Sequence, residues 1–295
     1  MSGIRILIAC SVLILPSYAL AGIEVWGAGT AVGEIHRYAA NGDYIGLYYP
    51  PSGVRFTAMT SVGGEVWGSD NDDATIHRFA LDGSYVGAID QSHGGQLLDS
   101  LAAVGGEVWG AGVSVGEIYR YALDGTYLGY YPIPSADRFE ALTVVGSEVW
   151  GSWNSAPGIH RFGFDGTYLG EISESEGGQR FGALAVVGNE VWGAGAAVAE
   201  IHRFAFDGTY LGNYTVPTTE RFEALAVVGH EVWGSWNSAP GIHRFAFDGT
   251  YLGEIDQAMG GQKFEALVVV PEPPVVLPCL IAAFGLAALR HPRGR

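Results

Sequence analysis

The sequence predicts an all-β protein, a six-bladed β-propeller, and three observations carry the prediction. The tetrapeptide Glu-Val-Trp-Gly begins at Glu24, Glu65, Glu107, Glu148, Glu190 and Glu231, so a unit recurs every 41 or 42 residues. Each unit reads as four short runs of strand-forming residues divided by turn signals, and a period of ~40–45 residues with four strands is the signature of a propeller blade. The units also use their strands in a circle. They open on the second strand of the first unit and finish on a lone first-strand sequence, Lys263–Val270, which can complete that unit and leave no free edge. A solenoid would lack the antiparallel meander and would need terminal caps.

Within a unit the strands follow in order. Strand a is a run such as Arg221–Val228, RFEALAVV, and a Val-Gly-X step leads to strand b, the Glu-Val-Trp-Gly run. Strand c begins Ile-His-Arg at Ile35, Ile76, Ile159, Ile201 and Ile242, and Ile118-Tyr119-Arg120 in the third unit. An Asp-Gly step follows, as at Asp165-Gly166, and predicts a type I′ hairpin with positive φ at both central residues. Strand d is Tyr-Leu-Gly or a close variant. The units alternate. Those starting at 24, 107 and 190 carry Gly-Ala-Gly after the tryptophan. Those starting at 65, 148 and 231 carry Ser-Asp or Ser-Trp and a d–a connection with Gly-Gly. The period is thus a pair of 83 residues, and Glu148–Phe162 is repeated letter for letter at Glu231–Phe245.

Composition agrees. Charged residues are 16% of the chain, aromatic residues 12%, and there are 45 glycines, which suits strands and tight turns rather than helices. Both ends read as processing segments. Residues 1–21 form a signal peptide: Arg5, the apolar run Ile6–Leu15, then Ala19-Leu20-Ala21. Cys10 falls in that run and Cys279 in the C-terminal apolar segment, so the exported body has no disulfide to rest on. Leaving out Arg5, Glu272, Arg290, Arg293 and Arg295, residues 22–270 hold 11 basic and 30 acidic residues, a net charge of −19. Such a body repels nucleic acid and anionic lipid surfaces. After it come Pro271-Glu272-Pro273, an apolar stretch at 274–289 and an arginine-rich end. Sixteen residues span ~24 Å as a helix against a hydrocarbon core of ~30 Å, a marginal membrane anchor.

Two resemblances add to this reading. The stretch Arg180–Gly212, RFGALAVVGNEVWGAGAAVAEIHRFAFDGTYLG, resembles NHL-like six-bladed propellers, which implies the fold and no particular function. The tail, with the sorting motif Pro271, Glu272, Pro273, then the apolar stretch and arginines, resembles the PEP-CTERM sorting signal. That resemblance implies export through the inner membrane, a transient membrane anchor, processing by an exosortase-type enzyme and an exopolysaccharide- or biofilm-linked role at the cell surface or outside the cell. The basic end departs from the pattern, being short and interrupted by His291, Pro292 and Gly294.

The candidate functional residues divide by position. The six Glu-Val-Trp-Gly tryptophans read as core. His36, His77, His160, His202 and His243, one per blade, read as structural. If Trp26 sits opposite Ile35, Glu24 falls opposite Arg37, and the same ion pair is expected in all six blades. One strand-a position holds Thr57, Asp99, Glu140, Gly182, Glu223 and Glu265; its four acids point toward the channel mouth, where Arg138, Arg180, Arg221 and Lys263, two residues earlier, would neutralise them, with a calcium ion as the alternative. Asp70, Asp72 and Asp73 form an acidic loop unique to the second unit, expected as a solvated loop with calcium again as the alternative. Trp153, Trp236, Asn154, Asn237, Tyr130 and Tyr131 are the candidate ligand face, where aromatic rings would stack on the sugars of a polysaccharide. No Ser/His/Asp set and no cysteine nucleophile is present in the body. The expected function is a non-catalytic, exported interaction module without a cofactor; a lactonase-like propeller hydrolase with a metal in the central channel is the alternative.

Overall fold

A computed structural model describes residues 22–29, 33–51, 53–70, 72–112, 116–134, 138–152, 156–195, 199–216, 221–235 and 239–271. The proposed signal peptide, Glu272, Pro273 and the 274–289 segment lie outside the described residues. So do Trp153, Asn154, Trp236 and Asn237.

Six four-stranded antiparallel sheets form the six blades of a β-propeller. In blade 1, strand a is Ala266–Pro271, b is Ile23–Ala28, c is Ile35–Ala39 and d is Tyr44–Tyr48. In the same order, blade 2 is Phe56–Val62, Glu65–Asp70, Thr75–Ala80 and Tyr85–Ile89, and blade 3 is Leu98–Val104, Glu107–Gly112, Glu117–Ala122 and Tyr127–Pro132. Blade 4 is Ala141–Val145, Glu148–Ser152, Ile159–Gly163 and Tyr168–Ile172. Blade 5 is Phe181–Val187, Glu190–Gly195, Glu200–Ala205 and Tyr210–Thr215, and blade 6 is Ala224–Val228, Glu231–Ser235, Ile242–Ala246 and Tyr251–Ile255. The last strand pairs with the first from Ile23↔Pro271 to Ala28↔Ala266, so the ring closes as the sequence implies. That strand runs to Pro271, so the first proline of the proposed sorting motif belongs to blade 1.

Each tryptophan of strand b packs across to the next blade. Trp26 meets Phe56, Val66 and Phe79; Trp150 meets Phe181, Val191 and Phe204; Trp233 closes the ring against Val25 and Tyr38. All six are at most 1% exposed. The core is therefore six inter-blade cores, and the blades hold together through side chains that contribute ~25 cal/mol per Å² of apolar surface buried.

Two local expectations need correction. The c–d connection is not a type I′ turn. Gly83 has φ +83° while Asp82 keeps a negative φ, and the N–H of Gly83 bonds to the carbonyl of Ala80 at 2.9 Å. This is a three-residue loop, a turn followed by a left-handed glycine; the Asp82 carboxylate accepts the Ser84 N–H at 2.9 Å, which fixes it. The b–c register is also shifted. Trp26 lies opposite Arg37 and Glu24 opposite Ala39, so Glu24 and Arg37 are diagonal neighbours. Their ion pair forms nonetheless, because the long guanidinium spans the diagonal. The Gly-Gly connections of blades 2, 4 and 6 contain short 3₁₀ turns, Gln91–His93, Glu174–Glu176 and Gln257–Met259. Asp90 and Asp256 cap two of them, and a left-handed glycine ends each.

The ion pair is part of a repeated triad. Glu24 accepts the Trp26 Nε1–H at 3.0 Å and two bonds from Arg37, at 2.8 and 2.5 Å. The equivalent pairs Glu65–Arg78, Glu107–Arg120, Glu148–Arg161, Glu190–Arg203 and Glu231–Arg244 are all present. The arginine hydrogen bond holds the carboxyls of Glu107, Glu148 and Glu190 below their ordinary range.

Candidate functional site

The six strands a meet on the axis around a cavity of about 90 Å³. Thr57, Asp99, Glu140, Gly182, Glu223 and Glu265 line it, so the position singled out in the sequence does face the channel. A bulge puts it there. Pairing with strand b skips Thr57, Asp99 and Gly182, while the N–H groups of Glu140, Glu223 and Glu265 reach back to Ser152, Ser235 and Ala28. A bulged residue loses its partner in the ladder and its side chain is re-aimed.

Burial dominates the chemistry of two of these carboxyls. It pushes Asp99 up to about 6, where Arg138 pulls down and Glu265 pushes up. It pushes Glu140 up to about 7, with Asp99 and Glu223 adding repulsion and Arg138 and Arg221 opposing it. The arginines thus partly offset the ring, as the sequence suggests for Arg138 and Arg221, without restoring ordinary acidity. Two carboxyls that change protonation near neutrality can donate or accept hydrogen bonds to a polar ligand, or lose protons to an oxygen-seeking cation.

The acidic loop of blade 2 is only in part the solvated loop expected. Asp72 and Asp73 are exposed, and Arg55 Nε donates to Asp72 at 2.9 Å. Asp70 is 2% exposed; its carboxylate accepts the N–H of Asp72 at 2.8 Å and of Arg55 at 3.3 Å.

The aromatic candidates separate. Tyr130 and Tyr131 belong to strand d of blade 3, the outermost strand, and alternate faces. Tyr131 meets Trp109 edge-on at 5.2 Å, lies under the Arg120 guanidinium at 4.5 Å and covers Gly166 of blade 4. It is packing, as are Tyr48 and Tyr214 at the same place in blades 1 and 5. Tyr130 is 52% exposed and sits opposite Tyr119, ring centroids 6.3 Å apart; Tyr127 flanks Tyr119 at the same distance. The Tyr119 hydroxyl donates to Glu117 at 2.6 Å. At the position of Tyr130 the other blades have Leu47, Ala88, Glu171, Asn213 and Glu254, so this three-tyrosine patch is found in blade 3 alone among them.

The sequence reading missed a further set of polar residues. Ser69, Ser152 and Ser235, all fully buried, donate to the carbonyls of Leu98, Phe181 and Phe264 in the next blade. The signal was there, since the other blades have Ala28, Ala111 and Ala194 at these positions.

No family model matches the chain, and no curated protein matches it. Solved structures do. A protein of unknown function from Bacteroides caccae superposes with a TM-score of 0.68 at 10% identity, over 85% of this chain and 100% of that one. A catalytically inactive virginiamycin B lyase from Staphylococcus aureus with quinupristin gives 0.62 at 20% identity, over 78% of this chain and 80% of that one. A chain of a nidogen/laminin complex gives 0.68 at 12% identity, over 84% and 98%. An enzyme and a protein-binding complex stand among similar structures, and at these identities the likeness establishes the six-bladed propeller fold alone.

Proposed function

We propose that this chain is an exported, non-catalytic interaction module of the cell surface or extracellular matrix, and that it binds polysaccharide through the tyrosine patch of blade 3. The observation that carries the binding reading is Tyr130, an exposed ring beside two further tyrosines and Glu117. Aromatic faces stack on the apolar faces of sugar rings, and a neighbouring carboxylate supplies the hydrogen bond that orients them. The net charge of the body, −19, argues against nucleic acid as a partner and favours a neutral or weakly acidic glycan presented with cations. Export rests on the signal-peptide pattern of residues 1–21, and an exosortase-type partner and transient anchoring in the inner membrane rest on the order of parts in the tail.

The binding test is retention of the protein on the exopolysaccharide of its source cells, comparing wild type with Tyr130→Ala. Loss of retention in a variant with an unchanged melting temperature supports the reading; equal retention, or none by the wild type, refutes it. The tail has its own test. Deleting residues 272–295, which leaves Pro271 in its strand, is expected to move the protein from the membrane fraction to the periplasm or medium.

One observation favours a second reading. Asp99 and Glu140, carried up to about 6 and about 7 on the axis, are placed and poised as acid–base groups would be in a hydrolase or lactonase-like enzyme with a metal in its channel. Metal-dependent turnover of a lactone panel, abolished in Glu140→Gln, would favour it over the binding module.

A further inference from the structure

Strand c of every blade buries one polar ring: His36, His77, Tyr119, His160, His202 or His243, each at most 6% exposed. Five of the six meet a glutamate. Glu34 and Glu200 lie 3.1 Å from Nε2 of His36 and His202, and Glu117 accepts the Tyr119 hydroxyl. Glu171 and Glu254 stand 3.8 Å from Nε2 of His160 and His243. Blade 2 breaks this rule. It has Thr75 where blades 1, 3 and 5 have their glutamate, and Ala88 where blades 4 and 6 have theirs. His77 Nδ1 shares a hydrogen bond with the Tyr85 hydroxyl at 3.2 Å, while the buried Nε2 has no hydrogen-bond partner among the described residues. A buried ring nitrogen left so costs ~1–3 kcal/mol.

The acidic loop found in blade 2 supplies what the two missing glutamates do not. Carboxylate oxygens of Asp70 and Asp73 and a ring nitrogen of His77 lie within 4.8 Å of one another. Asp70 is buried and held by two backbone N–H groups, which use one lone pair on each oxygen and leave others to bind. Asp73 approaches from the solvent side. We propose that Asp70, Asp73 and His77 bind one divalent transition-metal ion of the zinc and manganese class, which gives blade 2 the partner that a glutamate gives the other five blades.

The donor set points to that class. An imidazole with two carboxylates suits zinc or manganese, whereas calcium and magnesium prefer an all-oxygen shell. Metal–ligand bonds of ~2.0–2.1 Å put tetrahedral donors ~3.3 Å apart, and rotation of the exposed Asp73 side chain is the movement that closes the present spread. Two carboxylates and a dication are neutral together, so the ion also relieves the repulsion between Asp70 and Asp73. Its remaining positions face water through the Asp73 side. The site is separate from the axial carboxylates and from the blade 3 patch, so it stands or falls independently of the proposed function.

The experiment uses the full chain without an affinity tag, dialysed against chelator and titrated calorimetrically with zinc, manganese and calcium chlorides in turn. The expected result is one zinc or manganese ion per chain, with a rise in melting temperature that chelator reverses. Asp73→Asn, an exposed change, is expected to weaken binding about tenfold or more, and His77→Gln to abolish it. If His77→Gln does not fold, Asp73→Asn decides. The proposal is overturned if the wild type binds no transition metal, if Asp73→Asn binds as wild type does, or if calcium binds equally well and His77→Gln does not affect it.

Discussion

Blades 1, 3 and 5 and blades 2, 4 and 6 solve one problem, the seal between neighbours, in two ways. In the first set strand d reaches the next blade with Tyr48, Tyr131 or Tyr214. The ring lies edge-on to the tryptophan of its own blade and under the arginine of the triad, at 4.4, 4.5 and 4.7 Å. It covers the next blade's glycine turn so closely that an added Cβ would come within 2.2–2.3 Å of it at Gly83, Gly166 and Gly249. In the second set Ile89, Ile172 and Ile255 take that place, and the facing glycines Gly125, Gly208 and Gly42 have more room, 3.1–3.3 Å. These blades add polar ties. Arg78 and Arg161 donate to the carbonyls of Asp124 and Asp207, and Ser69, Ser152 and Ser235 reach the next strand a. Aromatic stacking on one side and aliphatic packing with hydrogen bonds on the other alternate around the ring. A copied unit that preserves both seals must be a pair of blades, which is the 83-residue period of the sequence.

The comparison can be broken at its tightest point first. Gly166→Ala is expected to cost ~3 kcal/mol or more, because the new methyl group meets the Tyr131 ring on top of a strained φ of +81°. Gly208→Ala carries the backbone strain, φ +95°, and finds the nearest carbon 3.3 Å away, so it should cost ~1–2 kcal/mol. Denaturant unfolding of the two variants checks the difference; equal losses would mean that the two seals are equally tight. Arg161→Ala should cost ~2 kcal/mol, since it leaves the half-buried Glu148 without its cation and frees the Asp207 carbonyl. A variant that melts like wild type would remove the triad from the account.

The axis predicts a pH effect. Carboxyls whose folded values are raised keep their protons where the unfolded chain has lost them, so Asp99 and Glu140 make stability fall as pH rises from about 4 through 7. Glu107, Glu148 and Glu190, held low, act oppositely: their contribution is complete at neutral pH and is lost as pH falls through their folded values. Asp99→Asn with Glu140→Gln should therefore raise the melting temperature at pH 8 by a few degrees, at ~2–4 °C per kcal/mol, and change it little at pH 4. The smallest effect is expected for Ser152→Ala, ~1 kcal/mol, which turns that position of blade 4 into the alanine of blades 1, 3 and 5.

Much of the fold was legible because a propeller writes its architecture as repetition. Period, strand count and ring closure follow from where Glu-Val-Trp-Gly recurs and where it stops. The finer geometry was less so. The Asp-Gly step signals a turn, but whether the aspartate or only the glycine turns left-handed depends on the length of the loop. The register of strands b and c could not be read from Glu24 and Arg37, because an arginine reaches a diagonal carboxylate as readily as an opposite one. Tyr130 and Tyr131 look alike in sequence, and only the alternation of strand d separates the exposed ring from the packed one. His77 looked like its four sister histidines until its surroundings showed Thr75 and Ala88 in place of a glutamate.

The claim on which the rest depends is that alternating seals make one closed ring, completed by Ala266–Pro271. Unfolding of two truncations tests it most directly. Removing residues 272–295 should leave the melting temperature and a single cooperative transition unchanged. Removing residues 266–295 takes out strand a of blade 1 and should lower the melting temperature by 10 °C or more, at ~2–4 °C per kcal/mol lost, and expose Trp26 and Trp233 fluorescence to quencher. Equal melting of the two truncations would contradict a ring closed by that strand.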